Sequence, residues 1–93
     1  MEGHSVVSPE VVARYARDAA CEVPGVAGVV DGVRKGVRLD GGGIVLHLAL
    51  DEGVSIPEVG ASVQRGVADY LERMTEARPT TVDVVVEELD APA

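Results

Sequence analysis

Hydrophobic positions along the chain follow two different spacings. From Val12 to Val23 they recur every three or four residues, at Val12, Tyr15, Ala16, Ala19 and Val23, while Arg14, Arg17 and Asp18 fall between them. That spacing gathers the apolar side chains on one face of a helix. Ser8-Pro9-Glu10 supplies its start: a hydroxyl that accepts from a free backbone N–H, a proline suited to the first helical position, and an acid at the positive end of the dipole. Pro24-Gly25 stops it, so the pattern predicts a helix over residues 9–22. A second helix is predicted from the Ser55 and Glu58 capping box to about Thr75, with Val59, Val63, Val67, Tyr70, Leu71 and Met74 as its stripe and Pro79 at the exit.

Elsewhere the spacing drops to two. Val33, Val37 and Leu39 alternate with other residues, as do Ile44, Leu46, Leu48 and Leu50, and again Val82, Val84 and Val86. Strands are predicted over 33–39 and 44–51, joined through Asp40-Gly41-Gly42-Gly43, whose glycines supply the positive φ of a hairpin loop. A last strand covers 82–86, and a short extended piece is expected over 26–30. The order α-β-β-(β)-α-β defines a two-layer α+β domain, with two helices packed on one face of a small, mainly antiparallel sheet. A single domain is expected over 6–90, with flexible tails at 1–5 and 91–93.

The other face of that sheet would display Arg34, Arg38, Val45, His47, Ala49, Asp83, Val85 and Glu87, the alternate positions of the same strands. One use of such a face is a solvated surface laced with cross-strand ion pairs. The other is contact with a partner, for which Arg34, Arg38, Val45, His47, Ala49 and Val85 are the candidates.

Composition narrows the picture. The 93 residues leave room for one module, and a 46% hydrophobic, 26% charged balance is that of a globular chain. With 19 Val, 11 Ala, no Phe and no Trp, the core must be thin and aliphatic, and oligomerisation would add to a small stability margin. The net charge of −8 lies entirely after residue 38. An acidic chain repels phosphate backbones and anionic lipid headgroups, so direct nucleic-acid binding is not expected unless a local basic patch overrides it. No stretch approaches the roughly 20 apolar residues of a membrane helix, so direct membrane insertion is not expected either, and MEGHSVVSPE, which lacks a basic stretch followed by an apolar one, is not expected to act as an export signal. The single Cys21 forms no internal disulfide, which fits a reducing cytosol.

Catalytic and ligand motifs are sparse. Gly41, Gly42 and Gly43 have no following Lys and open no helix, so they read as a loop rather than a phosphate cradle. Gly25-Val26-Ala27-Gly28 matches the bare G-x-x-G of KH modules, but its centre is apolar and there is no aromatic platform. His4 and His47 are too far apart for a zinc spacing. His47 as a general base would need a nucleophile, and only Asp83 is a candidate cross-strand acid. Cys21 falls on the last helical turn, near the negative end of the dipole, where a thiol is poorly activated, and reads as a small buried apolar residue. Asp51-Glu52 and Glu87-Glu88 read as solvated acids. No catalytic residue, cofactor or metal is assigned, and the chain does not read as an enzyme.

Four segments together resemble a known family: EVPGV at 22–26, IVLHLAL at 44–50, GVSIPEV at 53–59 and TVDVVVE at 81–87. Over residues 7–89 the chain resembles the alkaline shock proteins, small bacterial proteins of the envelope stress response. The resemblance implies a non-enzymatic cytoplasmic protein that self-associates and is held at the inner face of the membrane by an anchoring partner. No catalytic residues transfer, and the resemblance covers the core domain, without the long low-complexity extensions expected of some relatives. The alternative is a small carrier or assembly factor, similar to iron–sulfur assembly proteins, with Cys21 as its sulfur handler.

Overall fold

The computed structural model describes residues 8–32 and 34–87. Expected tail residues and His4 lie outside the described residues. Ser8 caps helix α1, Pro9–Cys21, with its hydroxyl accepting from the Val11 N–H at 3.2 Å. Ser55 does the same for α2, Ile56–Thr75, accepting from the Glu58 N–H at 3.3 Å. Each cap satisfies one of the donors that a helix start leaves free. At its other end α2 stops on Glu76, which is left-handed at φ 62° and donates its N–H to the Glu72 carbonyl.

Four strands make one sheet: β1 Val26–Val29, β2 Val37–Asp40, β3 Gly43–Leu50 and β4 Val82–Val86. The longest, β3, is central. Along one side it carries β4 in parallel, from Ile44↔Val82 to Leu48↔Val86. Along the other it carries two short strands end to end, both antiparallel: β1 against Leu48–Leu50 and β2 against Gly43–Leu46. The expected α+β class and element order are therefore present, in a mixed sheet with two antiparallel pairings and one parallel.

The strand expected over 33–39 begins only at Val37. Strands β1 and β2 act as one interrupted edge strand, with Asp31, Gly32, Arg34 and Lys35 outside the pairing. Both ends of the excursion meet the same residue of β3: the Val30 N–H donates to the His47 carbonyl at 2.9 Å, and the His47 N–H donates to the Gly36 carbonyl at 2.7 Å. Val33 lies outside the described residues. The β2–β3 hairpin closes through Gly41 and Gly42, at φ 56° and 88°, the positive pair that a two-residue type I′ turn requires.

Both helices cover one face. Ala16 and Ala20 of α1 and Val59, Val63, Val67 and Leu71 of α2 join Val37, Ile44, Leu46, Leu48 and Val82 in a single aliphatic core. Tyr15 and Tyr70, one from each helix, meet edge to face with ring centroids 5.9 Å apart. Met74, expected in the stripe, is 43% exposed, and Ile56 at the opposite end is 53% exposed. A 20-residue helix spans about 30 Å, against about 17 Å for the five residues of β4, so α2 is much longer than that strand.

Candidate interaction face

Alternation along β3 decides what faces away from the helices. Ile44, Leu46 and Leu48 enter the core, which turns Val45, His47 and Ala49 to the other side. The register then sets their neighbours. Arg38, Val45 and Asp83 form one row across β2, β3 and β4, and His47 stands beside Val85 in the next. Val45 is half-buried and Val85 is 40% exposed. Ala49, a candidate contact residue, is only 4% exposed beside Gly28. Its single methyl does not rise above its neighbours, so it offers no contact surface.

Arg34, expected on the strand face, lies instead in the loop between β1 and β2. Asp31 holds that loop in place. Its two carboxylate oxygens accept from Arg17 Nη1 at 3.1 Å and Nη2 at 2.9 Å, and Oδ1 also accepts from the Gly36 N–H at 2.8 Å. The fork of hydrogen bonds ties the loop to α1. The Arg17 guanidinium, and after it the Gly36 N–H, hold the Asp31 carboxyl below its ordinary 3.8, and Asp31 in turn raises Arg17.

His47 Nδ1 lies 2.6 Å from Glu87 Oε2. The acid beside His47 is thus Glu87 and not Asp83, because the parallel register sets Asp83 against Val45. Glu87 is correspondingly more than a solvated acid. A groove of about 390 Å³ holds His47 and Glu87 together with Arg34, Lys35 and Arg38, and its lining includes no Ser or Cys. Across the loop a second groove of about 470 Å³ adds Arg14 and Arg17. Arg38 Nε is buried and meets no acceptor among the described residues. The sequence shows these basic residues but not the loop that brings Arg14 and Arg17 up to Arg34, Lys35 and Arg38.

Cys21 is exposed rather than buried as expected. The neighbouring Ala20 takes the core position at 0% exposure, one residue along the helix. Among the described residues no group of three or more His, Cys, Asp or Glu could hold a metal ion. No described helix is long and apolar enough to cross a membrane.

These elements define a class of fold: two helices over one face of a four-stranded sheet in the order αβββαβ, with the second face open. Solved structures that share it include C-terminal domains of MamM. A nickel form is 23% identical, with a TM-score of 0.54 over 87% of this chain and 99% of its own. A cadmium form is 22% identical, with a TM-score of 0.55 over 89% of this chain and 100% of its own. A histidine-to-alanine variant gives 24% identity and a TM-score of 0.56 over 89% and 100%. At these identities the likeness is one of fold. No protein-family model and no curated protein matches the chain.

Proposed function

We propose that the chain is a non-enzymatic interaction module that pairs with a second copy of itself through the open face of its sheet. The observation that carries this reading is the row Arg38–Val45–Asp83, a cation, a branched apolar side chain and an acid on three adjacent strands. A two-fold axis lying along the strands between two facing sheets sets Arg38 of one copy over Asp83 of the other, twice, with Val45 meeting its counterpart in the middle. Self-complementary patches of this kind suit a closed dimer. The exposed Val85 extends the apolar centre, and its burial would add to a core built without Phe or Trp.

Light scattering across a concentration series tests it by charge exchange. Arg38→Asp and Asp83→Arg each place like charges face to face and are expected to weaken association about tenfold or more, while the double variant restores it. A strict monomer at high concentration, or single variants that associate as well as the parent, would overturn the reading.

The resemblance to alkaline shock proteins adds a place to this function: the inner face of a bacterial cytoplasmic membrane, reached through an anchoring protein and serving the envelope stress response. A crosslinking pull-down from membrane and cytosol fractions addresses it. One dominant membrane protein among the recovered partners supports that location, and recovery of none argues against it.

A further inference from the structure

Five of the eight Lys and Arg residues, Arg14, Arg17, Arg34, Lys35 and Arg38, stand on or beside one loop in a chain of net charge −8. The acids lining the same two grooves are Glu10, Asp31 and Glu87, so five cations face three anions where the chain as a whole is acidic. Arg17 is engaged by Asp31 in the lock that fixes the loop. Arg34, Lys35 and Arg38 make no ion pair among the described residues, and Arg38 keeps a buried Nε–H with no acceptor.

From this geometry we infer that the groove of Arg34, Lys35, Arg38 and His47 binds a small phosphate-bearing anion. Its volume of about 390 Å³ is in the range of small-ligand sites. A phosphate group presents three oxygens, enough for two guanidinium groups and an ammonium at once, where a carboxylate presents two. Glu87, the acid in the groove, has one carboxylate oxygen engaged by His47 Nδ1 at 2.6 Å, and the three cations outnumber it. Tyr15 and Tyr70 pair with each other between the helices, so no phenol ring is offered to a nucleobase, and the one ring in the groove, His47, is engaged by Glu87. Recognition is therefore by the phosphates alone. Because Asp31 and Gly36, at the two ends of the loop, are already tied to each other and to Arg17, less ordering is needed on binding. The site stands apart from the self-association reading, although Arg38 belongs to both surfaces.

Amide NMR of Gly32, Gly36 and His47 follows the site during titration with pyrophosphate, ADP and citrate at about 0.15 M salt, where long-range attraction is largely screened. Pyrophosphate and ADP are expected to give saturable shifts with similar affinities, and citrate a much weaker one. Arg38→Gln and Lys35→Gln should each lose about tenfold or more in affinity, whereas Arg73→Gln, on the far side of α2, should bind as the parent does. The titration is repeated on Asp83→Asn at a dilution where light scattering shows a monomer, so that occupation of Arg38 by a neighbouring molecule is not mistaken for failure to bind and no new cation is placed beside the groove. Absence of saturable shifts in both proteins overturns the inference. So does citrate binding as tightly as pyrophosphate, ADP binding more than tenfold tighter, or an equal loss in Arg73→Gln.

Discussion

A β carbon on Gly36 would lie 2.5 Å from both the Val30 carbonyl oxygen and a methyl of Val29. The methyl can turn aside, but the carbonyl belongs to the backbone that closes the loop. Gly36→Ala is therefore expected to cost about 1–3 kcal/mol in urea unfolding, the usual range for forcing atoms into an occupied site. Asp31, at the other end of the loop, makes its contribution pH-dependent. Its carboxyl is held below 3.8 by Arg17 first and the Gly36 N–H second, so the native loop binds fewer protons than the unfolded chain at mildly acidic pH. The lock is complete above the ordinary carboxyl value and is lost as pH falls through the lowered one. The Gly36 amide and the Arg17 side-chain NMR signals should titrate together below pH 3.8, and neither should do so in Asp31→Asn. None of this was legible in the chain read residue by residue. Asp31, Arg17 and Gly36 are separated by the end of α1 and all of β1, and the Val33–Val37–Leu39 alternation pointed to an unbroken strand instead.

At the scale of elements, local signals worked where the determining atoms are neighbours in sequence. Ser8 and Ser55 sit three residues from the amides they cap, and helices expected over 9–22 and from the Ser55 cap to Thr75 appear as Pro9–Cys21 and Ile56–Thr75. Ser55→Ala should cost about 1 kcal/mol of stability by thermal unfolding. The end of α2 is different. No glycine follows Thr75, and Glu76 adopts the left-handed conformation that glycine fills without steric cost. Glu76→Gly is expected to raise the unfolding free energy by about 0.5–1 kcal/mol, and an unchanged or lower midpoint would show that the Glu76 side chain contributes more than its backbone costs. Strand pairing was only half legible. The glycine pair announced the β2–β3 hairpin, but nothing in the spacing of Val82, Val84 and Val86 says that β4 runs parallel to β3, and that direction is what seats Glu87 rather than Asp83 beside His47.

For the whole molecule, one aliphatic core fixes two helices to one face and so leaves the other to be used. Leu46, at 0% exposure, lies at its centre, and Leu46→Ala should cost about 2–5 kcal/mol, by lost burial plus the cavity left behind. The open face was legible because alternation alone separates Ile44, Leu46 and Leu48 from Val45 and His47. The basic loop at its edge was not, since it depends on how far apart in sequence the two ends of an interrupted strand stand. The account's central claim is that this face is where copies of the chain meet. Methyl NMR over a wide concentration range tests it directly, because Val45 and Val85 report on the open face and Val63, buried on the inner side of α2, does not. The Val45 and Val85 methyl signals are predicted to move with concentration while Val63 stays fixed. Concentration-dependent shifts confined to the outer faces of the helices, or none at all, would contradict it.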